Sequence, residues 1–217
     1  MELFLIRHGM TGGNLEHRYV GRTDEPLTDE CRKKLSEEKV CRRMKAASEF
    51  PVQAVCMSPM RRCLETAELL FPEAEYPKIR RIVIPELTEC DFGEFEYKTF
   101  QELCGHPVYD RFLASGWLPG FPGGETTEEF RSRCRKGFSM ALEQVLGNRK
   151  TEPDGAVVFV VHGGTIMSVM EAFAVPHRDY FSWQAGNLEG FRMQFRKDGT
   201  HGERGFCLTD VARFGIL

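Results

Sequence analysis

A chain of 217 residues, 41% hydrophobic and 28% charged, is long enough to bury a sizeable core and is ordinary for a globular protein. Its formal net charge of −3 speaks against a nucleic-acid binder, although a local cationic pocket for an anionic substrate is compatible with an acidic chain. The longest strongly apolar run, Ala156–Val161, is far too short to cross a bilayer, and no basic segment at the N-terminus leads into a longer apolar one; the expected setting is the cytoplasm, away from membranes.

Leu3-Phe4-Leu5-Ile6 reads as a short buried strand, or almost as well as a buried helix turn, and is followed by Arg7-His8-Gly9-Met10-Thr11 with Asn14 just beyond. The carboxyl edge of an open α/β sheet is where ligands bind. A guanidinium there offers a planar fork matched to phosphate oxygens, and a neutral imidazole can attack phosphorus. Taken alone, these residues favour a plain strand end with a surface Arg-His pair. A loop then runs through Gly21 and Asp24 to Asp29, and Thr28 is a plausible N-cap for a helix reaching about Ala47, with Cys31, Leu35, Val40, Met44 and Ala47 as its apolar stripe.

Val52–Met57 is the second strand candidate, and Ser58-Pro59 after it marks a helix start, which puts Arg61 and Arg62 in a first turn that already favours anions. Periodicity does not choose between the two arginines. Ile79–Ile84 reads as a third strand, followed by the carboxylate-rich stretch from Glu86 to Glu96. Residues 99–124 are the least regular, and their aromatics Tyr109, Phe112, Trp117 and Phe121 fit a lid over a pocket or simple packing equally well. Thr126 and Glu129 have capping-box spacing and open an amphipathic helix with Phe130, Cys134, Phe138, Ala141, Leu142 and Val145 on one face; its basic residues, Arg131, Arg133, Arg135 and Lys136, are expected to face water.

Ala156–Val161 is the best strand in the chain, continuous and β-branched as a buried parallel strand should be. It ends in His162-Gly163-Gly164, with a helix expected from about Thr165 to Ala174, and Gly190–Arg196 with Arg204–Thr209 reads as a closing hairpin around Lys197-Asp198-Gly199. Three strand ends thus carry Arg7-His8, Arg61-Arg62 and His162. One such end is unremarkable; three are hard to dismiss. The eight cysteines (Cys31, Cys41, Cys56, Cys63, Cys90, Cys104, Cys134 and Cys207) show no C-x-x-C and no paired spacing, so neither a disulfide scaffold nor a metal site is expected.

Five separated motifs resemble those of the histidine phosphatase superfamily, also called phosphoglycerate-mutase-like. Arg7-His8-Gly9-x-Thr11-x-x-Asn14 is similar to its R-H-G-x-T-x-x-N signature, and Gly21 through Thr28 to its G-x-x-D-x-P-L-T loop. Ser58-x-x-x-Arg62-x-x-x-Thr66-Ala67 resembles its second-arginine motif, Leu87 through Glu94 its L-x-E-x-D-F-G-E segment, and Val161-His162-Gly163-Gly164 its V-x-H-G-G segment. The chain departs from the family at Cys31, where Gly is frequent, and at Phe95-Glu96-Tyr97, where W-E-G is common.

The resemblance implies one domain over 1–217: an α/β three-layer sandwich with a mostly parallel central sheet, helices on both faces and a lid-like insertion at about 99–124. It implies His8 as nucleophile and Glu89 as acid and base. Arg7, Arg62 and His162 would hold the phosphoryl oxygens, helped by Asn14 and Gly163, with Arg22 a candidate substrate contact. No cofactor or metal is expected, and the partner is a small phosphorylated substrate. The short passage from Gly93 to Thr99 and Gly123-Gly124-Glu125-Thr126 resemble the phosphatase branch, which includes α-ribazole phosphatases and broad-specificity bacterial enzymes. A phosphoglycerate mutase and a non-catalytic phospho-ligand binder are the alternatives.

Overall fold

A computed structural model describes residues 1–37, 50–115, 120–147, 155–197 and 205–216. The expected stripe positions Val40, Met44 and Ala47, the aromatic Trp117, the hairpin turn Asp198-Gly199 and Arg204 lie outside these residues.

Strand β4 (Ala156–Val161) is buried along its whole length, as its unbroken apolar run requires. It pairs in parallel with β1 (Glu2–Arg7) on one side and β2 (Val52–Met57) on the other. Beyond β2 lies β3 (Arg80–Val83), also parallel; beyond β1 lie β5 (Glu189–Lys197) and β6 (Phe206–Gly215), both antiparallel to their neighbours. The six strands form one sheet in the order β3-β2-β4-β1-β5-β6.

Side-chain alternation along each strand sends residues to opposite faces of the sheet. Leu3, Leu5, Val157, Phe159 and Val161 pack on one face with Phe138, Leu142, Ile166 and Val169 from helices α6 (Thr127–Leu146) and α7 (Gly163–Phe173). Phe4, Ile6, Val158 and Val160 pack on the other with Leu35, Cys63, Ala67 and Leu70 from α2 (Asp29–Leu35) and α3 (Arg61–Leu70). Helix–sheet–helix layering follows, an α/β fold as expected. Full burial of each large apolar side chain contributes about 1.5–3 kcal/mol.

Local signals place the helix ends well. Thr28 accepts from Cys31 N–H, and Thr126 with Glu129 forms the expected capping box. Residues 99–124 are more regular than expected: Thr99 caps a short helix α4 (Phe100–Leu103) through a second capping box, and Pro107 opens α5 (Pro107–Ala114). Tyr109, Phe112 and Phe121 are buried with Phe95 and Phe130 in a third apolar cluster, so these aromatics pack against one another. The first helix, α1 (Gly12–Leu15), is a single turn capped by Thr11.

Two expectations need correction. Helix α3 begins at Arg61 with Met60 as N-cap, two residues after Ser58, because the Ser58 hydroxyl is engaged elsewhere. Arg131 and Arg133 do not simply face water. Arg133 donates to the carbonyls of Glu86 and Thr88 at 2.9 and 2.8 Å and pairs with Glu125, while Arg131 pairs with Glu171 and lies over the Tyr180 ring. Their long side chains carry the charge to partners on neighbouring segments, a reach that helical periodicity does not report.

Candidate active site

Strands β2, β4 and β1 are neighbours and parallel, so their carboxyl ends open side by side. Arg7 closes β1 and His8 follows it, His162 follows β4, and Arg62 stands in the first turn of the helix after β2. Adjacency in the sheet brings together what lies up to about 150 positions apart in sequence.

Both arginines are held by backbone carbonyls. Arg7 Nη1 donates to Ala185 O at 3.0 Å; Arg62 Nη1 donates to Thr23 O and Nη2 to Gly21 O, each at 2.9 Å. The Nε atoms of both are buried with no partner among the described residues. Buried donors are almost always satisfied, so two orphaned guanidinium N–H groups in one cluster mark a place for an oxyanion. The N-terminus of α7, capped by the His162 backbone with no side-chain cap, opens at the same place and favours negative charge. Arg62, not Arg61, is the buried member of the pair. Arg61 turns outward to Glu65 at 2.6 Å.

His8 is buried, and its Nδ1 lies 2.7 Å from Gly9 O. A carbonyl only accepts, so Nδ1 carries the proton and Nε2 keeps its lone pair. Burial, then the charges of Arg62 and Arg7, push the His8 pKa well below the usual imidazole range, so the ring is neutral. Its neighbour His162 stands edge-on with ring centroids 5.2 Å apart, and burial with the same two arginines keeps that ring neutral too. His162 Nε2 lies 2.8 Å from Ser58 Oγ, which accepts the Met60 N–H. This contact fixes the orientation of the His162 ring.

Glu89 faces this group from the segment after β3. Its Oε1 accepts from Cys90 N–H at 2.9 Å and its Oε2 from Gly164 N–H at 3.4 Å. Desolvation pushes its pKa up, against the opposing pull of those N–H groups and of Arg62 and Arg7. A cleft of about 590 Å³ is lined by Arg7, Glu89, Gly163 and Gly164 together with Met167, Gln184 and Arg213. Another cavity, of about 700 Å³ between Phe71, Tyr76 and Ile79, contains none of these groups.

A family model for the histidine phosphatase superfamily (branch 1) matches residues 3–205. The chain belongs to this superfamily. The phosphoglycerate mutase-like protein 4 of Arabidopsis thaliana is 28% identical over 173 residues, 78% of this chain and 70% of its own. A protein of Gloeobacter violaceus named as a 2,3-bisphosphoglycerate-dependent phosphoglycerate mutase is 27% identical over 77% of this chain and 73% of its own. Among solved structures, the α-ribazole phosphatase of Shigella flexneri shares the fold with a TM-score of 0.71 at 22% identity, covering 96% of this chain and 94% of that one.

The histidine phosphatase fold brings together Arg7, His8, Arg62, Glu89, His162 and Gly163, as the motifs imply. Asn14, on α1, is tied to them through Asn187, whose Nδ2 donates to Asn14 Oδ1 at 3.0 Å. Arg22 is not brought into the group. Its side chain is 70% exposed and pairs with Asp91 at 3.2 Å, on a separate groove with Glu125 and Lys136. No helix among the described residues is long and apolar enough to cross a membrane.

Four supporting residues have no task assigned from the sequence. Asn187, in the loop before β5, donates to the carbonyls of His8 and Gly9 as well as to Asn14, fixing the backbone that carries His8. No local pattern marks it, because its partners are more than 170 residues away. Thr66 accepts the Gly9 N–H at 2.9 Å and donates to Arg62 O at 2.6 Å, tying the two arginine motifs together. Cys31, the departure from the family pattern, accepts the Met10 N–H and packs so closely under Gly9 that an added Cβ there would stand 2.6 Å from its sulfur.

Gly164 is the fourth. A Cβ on it would stand 2.7 Å from Glu89 Oε1 and 2.9 Å from the Phe130 ring. Gly164→Ala is therefore expected to push Glu89 out of position and lower kcat about 10²-fold, within the range for a displaced general acid. Steady-state kinetics beside a melting curve checks this. A wild-type kcat in a folded variant would show that the carboxyl has slack.

Proposed function

We propose that this histidine phosphatase is a metal-independent phosphomonoesterase acting on a small phosphorylated metabolite through a phosphohistidine on His8, with Glu89 as acid and base. The observation that carries this is the His8 tautomer: a neutral ring with its proton tied to Gly9 O presents an Nε2 lone pair beside two orphaned guanidinium donors. Nε2 attacks phosphorus, the P–O ester bond breaks, and the leaving alkoxide takes the Glu89 proton. Glu89, now ionised, takes a proton from water as that water attacks the phosphohistidine, and phosphate leaves. Arg7 and Arg62, with His162, the Asn14 amide and the Gly163 N–H, neutralise the charge that spreads over the phosphoryl oxygens; such positioning and charge stabilisation is most of what phosphoryl transfer requires. α-Ribazole phosphate, the ester named for the Shigella flexneri structure, belongs among the candidate substrates. The names of the curated relatives favour a second reading, a phosphoglycerate mutase that would return the phosphoryl group from His8 to substrate.

The test is phosphate release from p-nitrophenyl phosphate and a panel of alkyl phosphates in excess EDTA. Release indifferent to chelation supports the reading; no release, with 2,3-bisphosphoglycerate-dependent isomerisation of phosphoglycerate instead, would establish the mutase.

The pH profile follows from the same groups. His8 works neutral and its pKa is lowered, so the acid limb of kcat/KM falls below the usual imidazole range. Glu89 works protonated and its pKa is raised, so alkyl-ester turnover persists above the usual carboxylate range and declines as the pH climbs through that raised value. Glu89→Gln should remove the alkaline limb and lower alkyl-ester turnover about 10²–10⁴-fold. Phosphorylation by p-nitrophenyl phosphate, whose leaving group needs no proton, should suffer less. An acid limb in the ordinary imidazole range would contradict the neutral, buried His8.

A further inference from the structure

The cleft that Arg7, Glu89 and Gly163 line is also lined by Arg213, on the last strand of the sheet. Its Nη2 donates to Gln184 O at 2.8 Å and its guanidinium lies over the Phe191 ring, 5.3 Å from the centroid. Arg7 donates to Ala185 O, the very next carbonyl. The two guanidinium groups are thus anchored on successive carbonyls of one loop and both line one cleft. A small molecule that fills this cleft meets both.

Nothing in the phosphoryl-transfer steps uses Arg213. Its ion-pair partner among the described residues, Glu189, is at 4.0 Å and spends Oε2 on the Gly186 N–H at 3.0 Å, so the guanidinium is fixed in place but loosely neutralised. A side chain 60% exposed yet anchored through one amino group and one ring face keeps its remaining N–H donors for something in the cleft. Met167, which lines the same cleft, offers an apolar contact for a short carbon skeleton.

We propose that Arg213 forms a second anion subsite, so that the preferred substrate is a small phosphomonoester whose leaving group carries a carboxylate or a second phosphate. This rests on the phosphatase reading for its kinetics but not for binding. Arg7 and Arg62 take the phosphoryl group to be transferred; Arg213 takes the other anion and orients the ester oxygen towards Glu89.

Wild type and Arg213→Gln are to be compared on glycerol 3-phosphate, on 3-phosphoglycerate, which differs in bearing a carboxylate in place of a hydroxymethyl group, and on glycerol 1,3-bisphosphate. In wild type kcat/KM should favour the two doubly anionic esters by about tenfold, the usual scale of one charge-assisted contact. Arg213→Gln should collapse that ratio through KM, and Arg213→Lys should restore part of it. Whichever doubly anionic ester shows the larger collapse names the anion. A ratio unchanged by Arg213→Gln, or a wild-type preference for the neutral ester, overturns the subsite. If wild type hydrolyses none of the three, the phosphatase reading has failed and calorimetry decides the subsite: binding of the doubly anionic esters must weaken about tenfold relative to glycerol 3-phosphate in Arg213→Gln, and equal weakening or none overturns it.

Discussion

Replacing His8 by Ala is expected to abolish phosphate release, lowering kcat/KM by about 10⁴-fold or more, the scale seen when a covalent nucleophile is removed. The ring is the group whose lone pair is free and aimed: Nδ1 is committed to Gly9 O, and the surrounding guanidinium groups would be wasted on any attacker that approached from elsewhere. His162 cannot substitute, because its Nε2 is engaged by Ser58 and its ring is locked edge-on to His8. Brief exposure to a labelled phosphate ester, quenching in base, and detection of an acid-labile, base-stable label reads the intermediate directly. Wild type should carry the label and His8→Ala should not. Label or turnover surviving in the variant would mean that another residue is the nucleophile.

Arg62→Ala should be the other severe substitution, and it should damage two things at once. Losing one preorganised donor to transition-state charge costs about 10²–10³ in rate, and Arg62 supplies both a full charge and an orphaned Nε. The same side chain is fully buried and ties the carbonyls of Gly21 and Thr23 to α3. Each buried carbonyl left without a donor costs about 1–3 kcal/mol. A total near 3 kcal/mol would lower Tm by roughly 6–12 °C in a chain of this size. Arg62→Lys separates the effects: it keeps the charge but not the fork, so it should recover part of the Tm while leaving kcat low. A variant with wild-type Tm would show that the loop from Gly21 to Thr23 does not depend on this anchor.

Much of the fold was legible because it is written in local chemistry. The unbroken run Ala156–Val161 could be a buried strand and is one, at the centre of the sheet. Thr28 and Thr126 cap the helices that their spacing announced. Local chemistry misled where a side chain had a distant partner. Ser58 looks like a helix cap but serves His162, 104 residues away, and the helix accordingly starts at Arg61. Arg133 looks like a solvated face and instead holds the carbonyls of Glu86 and Thr88 next to Glu89. Aromatics of the 99–124 region fitted a lid or a packed cluster equally, and burial of Tyr109, Phe112 and Phe121 against Phe95 selects packing.

By itself the sequence pointed to Arg7-His8, the Arg61-Arg62 pair and His162-Gly163 at strand ends and helix starts, since apolar runs broken by glycine, proline and capping residues need no tertiary information to be recognised, and the family motif picked Arg62 from the pair. It also marked a carboxylate-rich segment that included Glu89. Only the tertiary structure decided which strands are neighbours, and therefore that these ends converge: pairing of β1 and β2 on either side of β4 is a contact between segments far apart in the chain. The same holds for the protonation pattern. Burial and hydrogen-bond partners, not residue type, make His8 a neutral ring with a free Nε2 and hold Glu89 towards its acid form. Asn187 and Arg213 come into view only there, because what they touch was brought to them by the sheet.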